Sequence, residues 1–188
     1  NRTIVRLLAT NAVIIGSGDT NDYPMMDVRW EGRWQPGRRA LIYSANVDHT
    51  GIIGPGRIEG NPAVAAPQNP RGALVLEPIN CKDVRWEGFT VTQGGNWATH
   101  PTYCTEVTIK NLTITGRRDG IDIDSCHNVR IENCNIDTGD DCIALKGTKG
   151  PLALDDKSSP PVENILVVDC DFQNGHGVLT CGSEATII

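Results

Sequence analysis

Short runs of alternating apolar and polar residues recur along the chain at a nearly constant interval. "CKDVRWEGFTVTQG" from Cys81, "CTEVTIKNLTITGR" from Cys104 and "CHNVRIENCNIDTG" from Cys126 align without gaps. Their first residues lie 23 and 22 positions apart. A fourth segment, "VENILVVDCDFQNG" from Val162, joins them once the Pro-, Ser- and Asp-containing stretch 147–160 is set aside as an inserted loop. The apolar residues then fall into columns: Val84, Val107, Val129 and Ile165; Trp86, Ile109, Ile131 and Val167; Phe89, Leu112, Cys134 and Cys170; Val91, Ile114, Ile136 and Phe172. Within each repeat the columns come in pairs two residues apart, the spacing of side chains that share one face of a strand.

Strands that alternate this way, are separated by Gly, Asn and Asp, and repeat near every 22 residues predict an all-β chain coiled as a right-handed parallel β-helix. In such a fold each coil buries its apolar face against the next. Leucine-rich repeats share the period but demand a dense Leu consensus, which is absent here. "NAVIIGSG" near Asn11 and "HTGIIGPGRIEG" near His49 read as earlier, less regular coils, and "NDYPMMDVRWEGRWQPGRR" between them as an excursion. Trp30 and Trp34 in that excursion are expected to pack, with sugar stacking as the other reading. "GPGRIEG" is no phosphate loop, since neither Lys-Ser/Thr nor a helical pattern follows it. Residues 1–188 are read as one β-helical unit, expected to be a central piece of a longer catalytic domain because "GSEATII" at the end reads as a mid-solenoid strand without a cap.

Composition narrows the partners. With 20 Gly and 11 Pro but only 5% aromatic residues, the chain favours turns and short strands. A net charge of −6 argues against a nucleic-acid binder, which would carry a basic stripe. No apolar run approaches the roughly 18 residues of a membrane span. The seven cysteines cannot all pair within the chain and include no C-x-x-C. Metal binding through cysteine is therefore not expected, and several cysteines occupy repeating positions, as small core fillers would.

The same register gathers ionisable residues. Asp119 and Asp141 occupy equivalent positions in successive coils, and Asp140 and His176 share the position just before. A lone Asp-Asp pair is ordinarily a solvated turn, and stacked Asp or Asn can form a structural ladder. Three carboxylates and a histidine at one corner are harder to explain that way, because like charges so close destabilise the chain. Carboxylates whose surroundings split their protonation states suit glycosidic hydrolysis, where one acid serves the leaving oxygen and another carboxylate activates water. Gly139, Gly175 and Gly177 are expected to leave room for a bulky polymer.

"DGIDIDSCHNVRIENCNIDTGDDCIALKG" and "GHGVLTCGSE", with support from "NWATHPTYC" and "SGDTNDYP", make the sequence resemble glycoside hydrolase family 28, the polygalacturonase-like pectin hydrolases. The resemblance implies a right-handed parallel β-helix and an inverting glycosidase that cleaves α-1,4-galacturonosyl links without a cofactor. It implies Asp140 as general acid, Asp119 and Asp141 as holders of the attacking water, and His176 as the acid's neighbour. Lys146, Arg117 and Arg118 become candidates for a uronate carboxylate, a salt bridge from Lys146 to Asp122 or Asp124 being the alternative. His100 of "WATHP" becomes a candidate groove residue.

Two departures qualify the match. Arg117-Arg118-Asp119 stands where the family has Asn-Thr-Asp, and the family's Arg-x-Lys motif has no counterpart before Ile188. The partner expected is an acidic plant cell-wall polysaccharide or oligosaccharide, met outside the cytoplasm by a secreted or periplasmic enzyme, with the remainder of the same catalytic domain alongside. The "WATHP" and "DTGDDCIALK" forms are more similar to plant and bacterial members, including exo-acting ones, than to fungal endo enzymes. A rhamnogalacturonan hydrolase and a non-catalytic carbohydrate-binding β-helix are the alternatives. A calcium-dependent lyase would need a basic proton acceptor that the paired-Asp corner does not supply.

Overall fold

The computed structural model describes residues 2–64, 70–148, 153, 156 and 158–184. The chain winds through three parallel sheets. The first takes Thr3–Arg6, Asp48–Ile53, Lys82–Glu87, Thr105–Lys110, His127–Glu132 and Glu163–Val168 in that order. The second stacks Val13–Ile15, Arg57–Glu59, Thr90–Thr92, Thr113–Thr115, Asn135–Asp137 and Asp171–Phe172. The third is built from Ile42–Ala45 on Leu76–Ile79, then Ile121–Asp124, Ile143–Lys146 and Leu179–Cys181. Bridges through Thr99 and Thr102 join its two halves.

Three of the four predicted columns are realised as registers of Cα partners: Val84, Val107, Val129 and Ile165 pair in sequence, as do Trp86, Ile109, Ile131 and Val167, and Val91, Ile114, Ile136 and Phe172. The columns form one continuous core in which Ile109, Ile114, Ile131, Ile136 and Ile143 are fully buried. Burying each such side chain contributes roughly 1.5–3 kcal/mol, which holds coil on coil. Cys81, Cys104, Cys126 and Cys134 are free thiols buried within it, and Cys170 packs against it.

The corners depend on residues that tolerate a left-handed backbone. Asn46, Asn80, Asn111 and Asn133 all have φ between 50° and 56°. Their amides bond from coil to coil, Asn80 to Asn46 and Asn133 to Asn111, each at 2.7 Å. Asn suits these positions because its short polar side chain lowers the cost of positive φ and then satisfies its neighbour.

The excursion is an antiparallel hairpin, Met25–Trp30 paired with Arg33–Arg38, closed by Glu31 and Gly32 with φ of 44° and 69°. Two residues with positive φ match the turn that suits the twist of a tight hairpin. The hairpin is fixed to the coils by Arg29, whose Nε and Nη2 donate to the two oxygens of buried Asp124 at 3.0 and 3.3 Å. Residues 149–152, 154, 155 and 157 of the expected inserted loop, and 185–188 of the expected terminal strand, lie outside the described residues. Among the described residues no helix is long and apolar enough to cross a membrane.

Candidate active site

Two turns that enter strands of the third sheet bring the acidic residues together. Gly120 N donates to Asp141 O at 2.9 Å and Cys142 N to Gly177 O at 2.8 Å, which stacks Asp119, Asp141 and Gly177 coil on coil. His176 N donates to Asp140 O at 3.1 Å, so His176 lies directly beside Asp140, with Nδ1 at 3.2 Å from Asp140 Oδ1. Thr138 Oγ1 donates to Asp140 O at 3.1 Å, and Asp141 N donates to Asp140 Oδ1 at 3.2 Å, fixing the turn that carries the pair. Gln93 clamps the turn before Asp119: its Nε2 donates to Arg118 O and Asp119 O, and its Oε1 accepts from Arg118 N.

These carboxylates open into a polar cleft of about 230 Å³, walled by Trp30, Glu31, Arg71, Trp97, Arg118 and Lys146 as well as by Asp119, Asp140 and Asp141. Trp30 stacks on Trp97 with centroids 3.7 Å apart and planes 13° apart, and the Arg71 guanidinium covers the other face of Trp30 at 3.0 Å. Desolvation lowers the pKa of Arg71 to about 10, which leaves it charged at neutral pH. A second opening, of about 300 Å³ between the first and third sheets, is lined mainly by apolar side chains and holds no comparable carboxylate cluster.

The members of the acidic corner differ in exposure. The Asp140 side chain is 32% exposed and that of Asp119 only 7%. Burial pushes the Asp119 carboxyl upward; Asp122 and Lys146 oppose that rise, and Asp140 and Asp141 add to it, leaving a net upward shift. Lys146 Nζ lies 3.5 Å from Asp119, 3.4 Å from Asp122 and 3.4 Å from Glu184. Burial alone would lower its pKa, but the three carboxylates raise it and keep the ammonium charged.

The structure separates the binding candidates. Lys146 lines the cleft but is committed to three carboxylates, so the salt-bridge alternative describes its contacts. Arg118 reaches the cleft, with Nη1 at 3.9 Å from Asp140 Oδ2, whereas Arg117 is exposed and forms no part of the cleft wall. His100 does not line the groove: it is fully buried, with Nδ1 3.6 Å from Glu77 and Nε2 3.4 Å from Asp124. The cause is the hairpin, which covers the outward face of the third sheet through Arg29 and Trp30 and turns a face that the register leaves open into an interior. The glycines are also explained differently than expected. A Cβ on Gly175 would stand 2.7 Å from Cys142 Sγ, and one on Gly177 would stand 2.1 Å from Thr180 Oγ1 and 3.0 Å from Asp141 Oδ1. On Gly139 it would stand 2.8 Å from Arg117 O, so the preceding coil and, at Gly177, Thr180 of the same coil occupy the space.

Arg71, Trp97, Glu184 and the Arg29–Asp124–His100–Glu77 chain escape sequence reasoning. Register aligns coil with coil, but Arg29 and Trp30 come from the hairpin, which has no place in the repeat, so what they cover on the third sheet cannot be read from periodicity. Among the described residues no group of three or more His, Cys, Asp or Glu side chains has the geometry of a metal site.

The model of glycosyl hydrolases family 28 matches residues 27–187. A Vitis vinifera protein named "Probable polygalacturonase" is 30% identical over 156 residues, covering 74% of this chain and 32% of that protein. An endo-polygalacturonase of Pectobacterium carotovorum is 37% identical over 79 residues, covering 42% of this chain and 17% of its own. The chain spans about a third of the length of the Vitis protein. Among solved structures, the exopolygalacturonase of Thermotoga maritima superposes with a TM-score of 0.82 at 23% identity over 96% of this chain and 51% of that one. The Yersinia enterocolitica family 28 exopolygalacturonase gives 0.83 at 19%, over 96% and 41%. These likenesses show the fold, a right-handed parallel β-helix.

Proposed function

The chain belongs to glycosyl hydrolase family 28, and from that premise we propose that it hydrolyses α-1,4-galacturonosyl links of pectin or polygalacturonate with inversion at the anomeric carbon. The observation that carries the reading is the meeting of Asp119, Asp140 and Asp141 at one polar cleft across adjacent coils, with His176 beside Asp140. Asp140, the half-exposed member with His176 beside it, is the acid that protonates the glycosidic oxygen as the bond to the leaving sugar breaks. Asp119 and Asp141, stacked on the neighbouring column, hold the water that attacks from the opposite face and accept its proton. The protein supplies all of these groups, and no cofactor enters the reaction.

Arg71 and Arg118 on the cleft wall give an acidic sugar its counter-charges. The partner is thus an acidic plant cell-wall polysaccharide or its oligosaccharides, which places the enzyme outside the cytoplasm, secreted or periplasmic. The relatives' greater length supports the reading that further coils of the same catalytic domain complete the cleft. Reducing-sugar release from polygalacturonate and from rhamnogalacturonan, assayed beside Asp140→Asn, tests the proposal. Release from polygalacturonate that the variant loses supports it. Release from rhamnogalacturonan alone moves the substrate, and release from neither turns the reading to a carbohydrate-binding β-helix.

A further inference from the structure

Lys146 is surrounded by more negative charge than it can balance. Its ammonium lies within 3.5 Å of Asp119, Asp122 and Glu184, and all four side chains are at most 7% exposed. Three ionised carboxylates against one ammonium would leave two uncompensated charges out of water, and isolated buried charge is so costly that a carboxyl takes up a proton instead. The question is which one.

Asp122 is the member least able to remain an anion. Its side chain has no exposure, and neither of its oxygens accepts a hydrogen bond. Glu184 Oε2, by contrast, accepts from Ser183 Oγ at 2.8 Å, and Asp119 reaches the cleft. The other groups near Asp122 add little positive charge. His100, its neighbour on the preceding coil by the registers of Thr99 with Ile121 and Thr102 with Asp124, is already flanked by Glu77 and Asp124. Arg29 is engaged by Asp124, and Ala144 is the Cα partner on the following strand.

We propose that Asp122 carries a proton in the folded protein and donates it in a hydrogen bond to Asp119, so that it is the positioning residue for the carboxylate that activates water. Burial, with the neighbouring Asp119 charge next, raises Asp122 well above the ordinary carboxylate range, and the bond from Asp122 opposes the rise of Asp119, in keeping with this assignment. The proton on Asp122 leaves Asp119 ionised and facing the cleft with one oxygen fixed. The catalytic half of this inference rests on the hydrolase reading, whereas the location of the proton does not.

Two measurements on the full chain separate these halves. In ¹³C NMR of aspartate-labelled protein, one buried carboxyl should keep its protonated shift at neutral pH, and its signal should be missing from Asp122→Asn. Its absence from the parent chain, or its persistence in the variant, overturns the assignment whether or not the protein is active. For activity, Asp122→Asn keeps a donor and should retain kcat within a few-fold. Asp122→Leu removes the donor and should lower kcat on polygalacturonate roughly tenfold or more, since a hydrogen bond to a charged group is lost. In the Leu variant KM should stay nearly constant and the acidic limb of the pH profile should move upward. Equal behaviour of the two folded variants, or a downward shift of that limb in either, would mean that Asp122 is an anion and overturns the proposal.

Discussion

His176 Nδ1 lies 3.2 Å from Asp140 Oδ1, although the two belong to different coils, because parallel stacking sets equivalent positions beside each other. In the proposed mechanism this contact makes His176 the neighbour of the general acid. Asp140→Asn removes the acid while preserving shape. Hydrolysis of polygalacturonate should fall roughly 10²- to 10⁴-fold, with unfolding stability unchanged within about 0.5 kcal/mol because the side chain is partly solvated. Reducing-sugar assays and urea titration on the same preparation check both.

Gly177 is tested through Asp141. An alanine there sets its methyl 3.0 Å from Asp141 Oδ1 and into Thr180 Oγ1. One of these side chains must yield, and in the proposed mechanism a misplaced water-holding carboxylate costs on the order of 10²-fold in rate. Gly177→Ala should therefore lose roughly 10- to 100-fold in kcat, and a thermal melt should show whether the fold persists.

Arg29 and Asp124 make a buried two-point ion pair that fixes the hairpin to the coils. Arg29→Met leaves Asp124 in the interior with His100 and the Ser125 hydroxyl but without the guanidinium. Stripping one partner from a buried pair costs roughly 3–5 kcal/mol. Urea unfolding should show that loss, and with Trp30 carried next to Arg29 the tryptophan fluorescence of the folded variant should change.

His100 predicts a pH dependence of stability. Burial opposes its charge, but Asp124 and Glu77 outweigh burial and raise its pKa above 6.5. A group held protonated by the fold contributes stability that is complete below the unfolded value and is lost as pH climbs through the higher folded value. The urea midpoint should fall as pH rises above about 6.5, and His100→Gln should lack that fall.

The sequence by itself determined the solenoid. Alternation with a period near 22 fixes strand, register and coil, because a slip of one residue would turn every apolar column toward solvent. From the same register came the stacking of Asp119 on Asp141 and of Asp140 on His176. What only the tertiary structure decided lies outside the repeat. The hairpin of Met25–Trp30 and Arg33–Arg38 has no coil to align with, so nothing in its sequence says that Arg29 reaches Asp124 or that Trp30 covers Trp97. That covering buries His100, shapes one wall of the cleft and encloses the outward face on which Asp122, Lys146 and Asp119 meet. Periodicity tells which way a side chain points, whereas burial depends on what else packs over that face, and here the covering element comes from a segment distant in the chain.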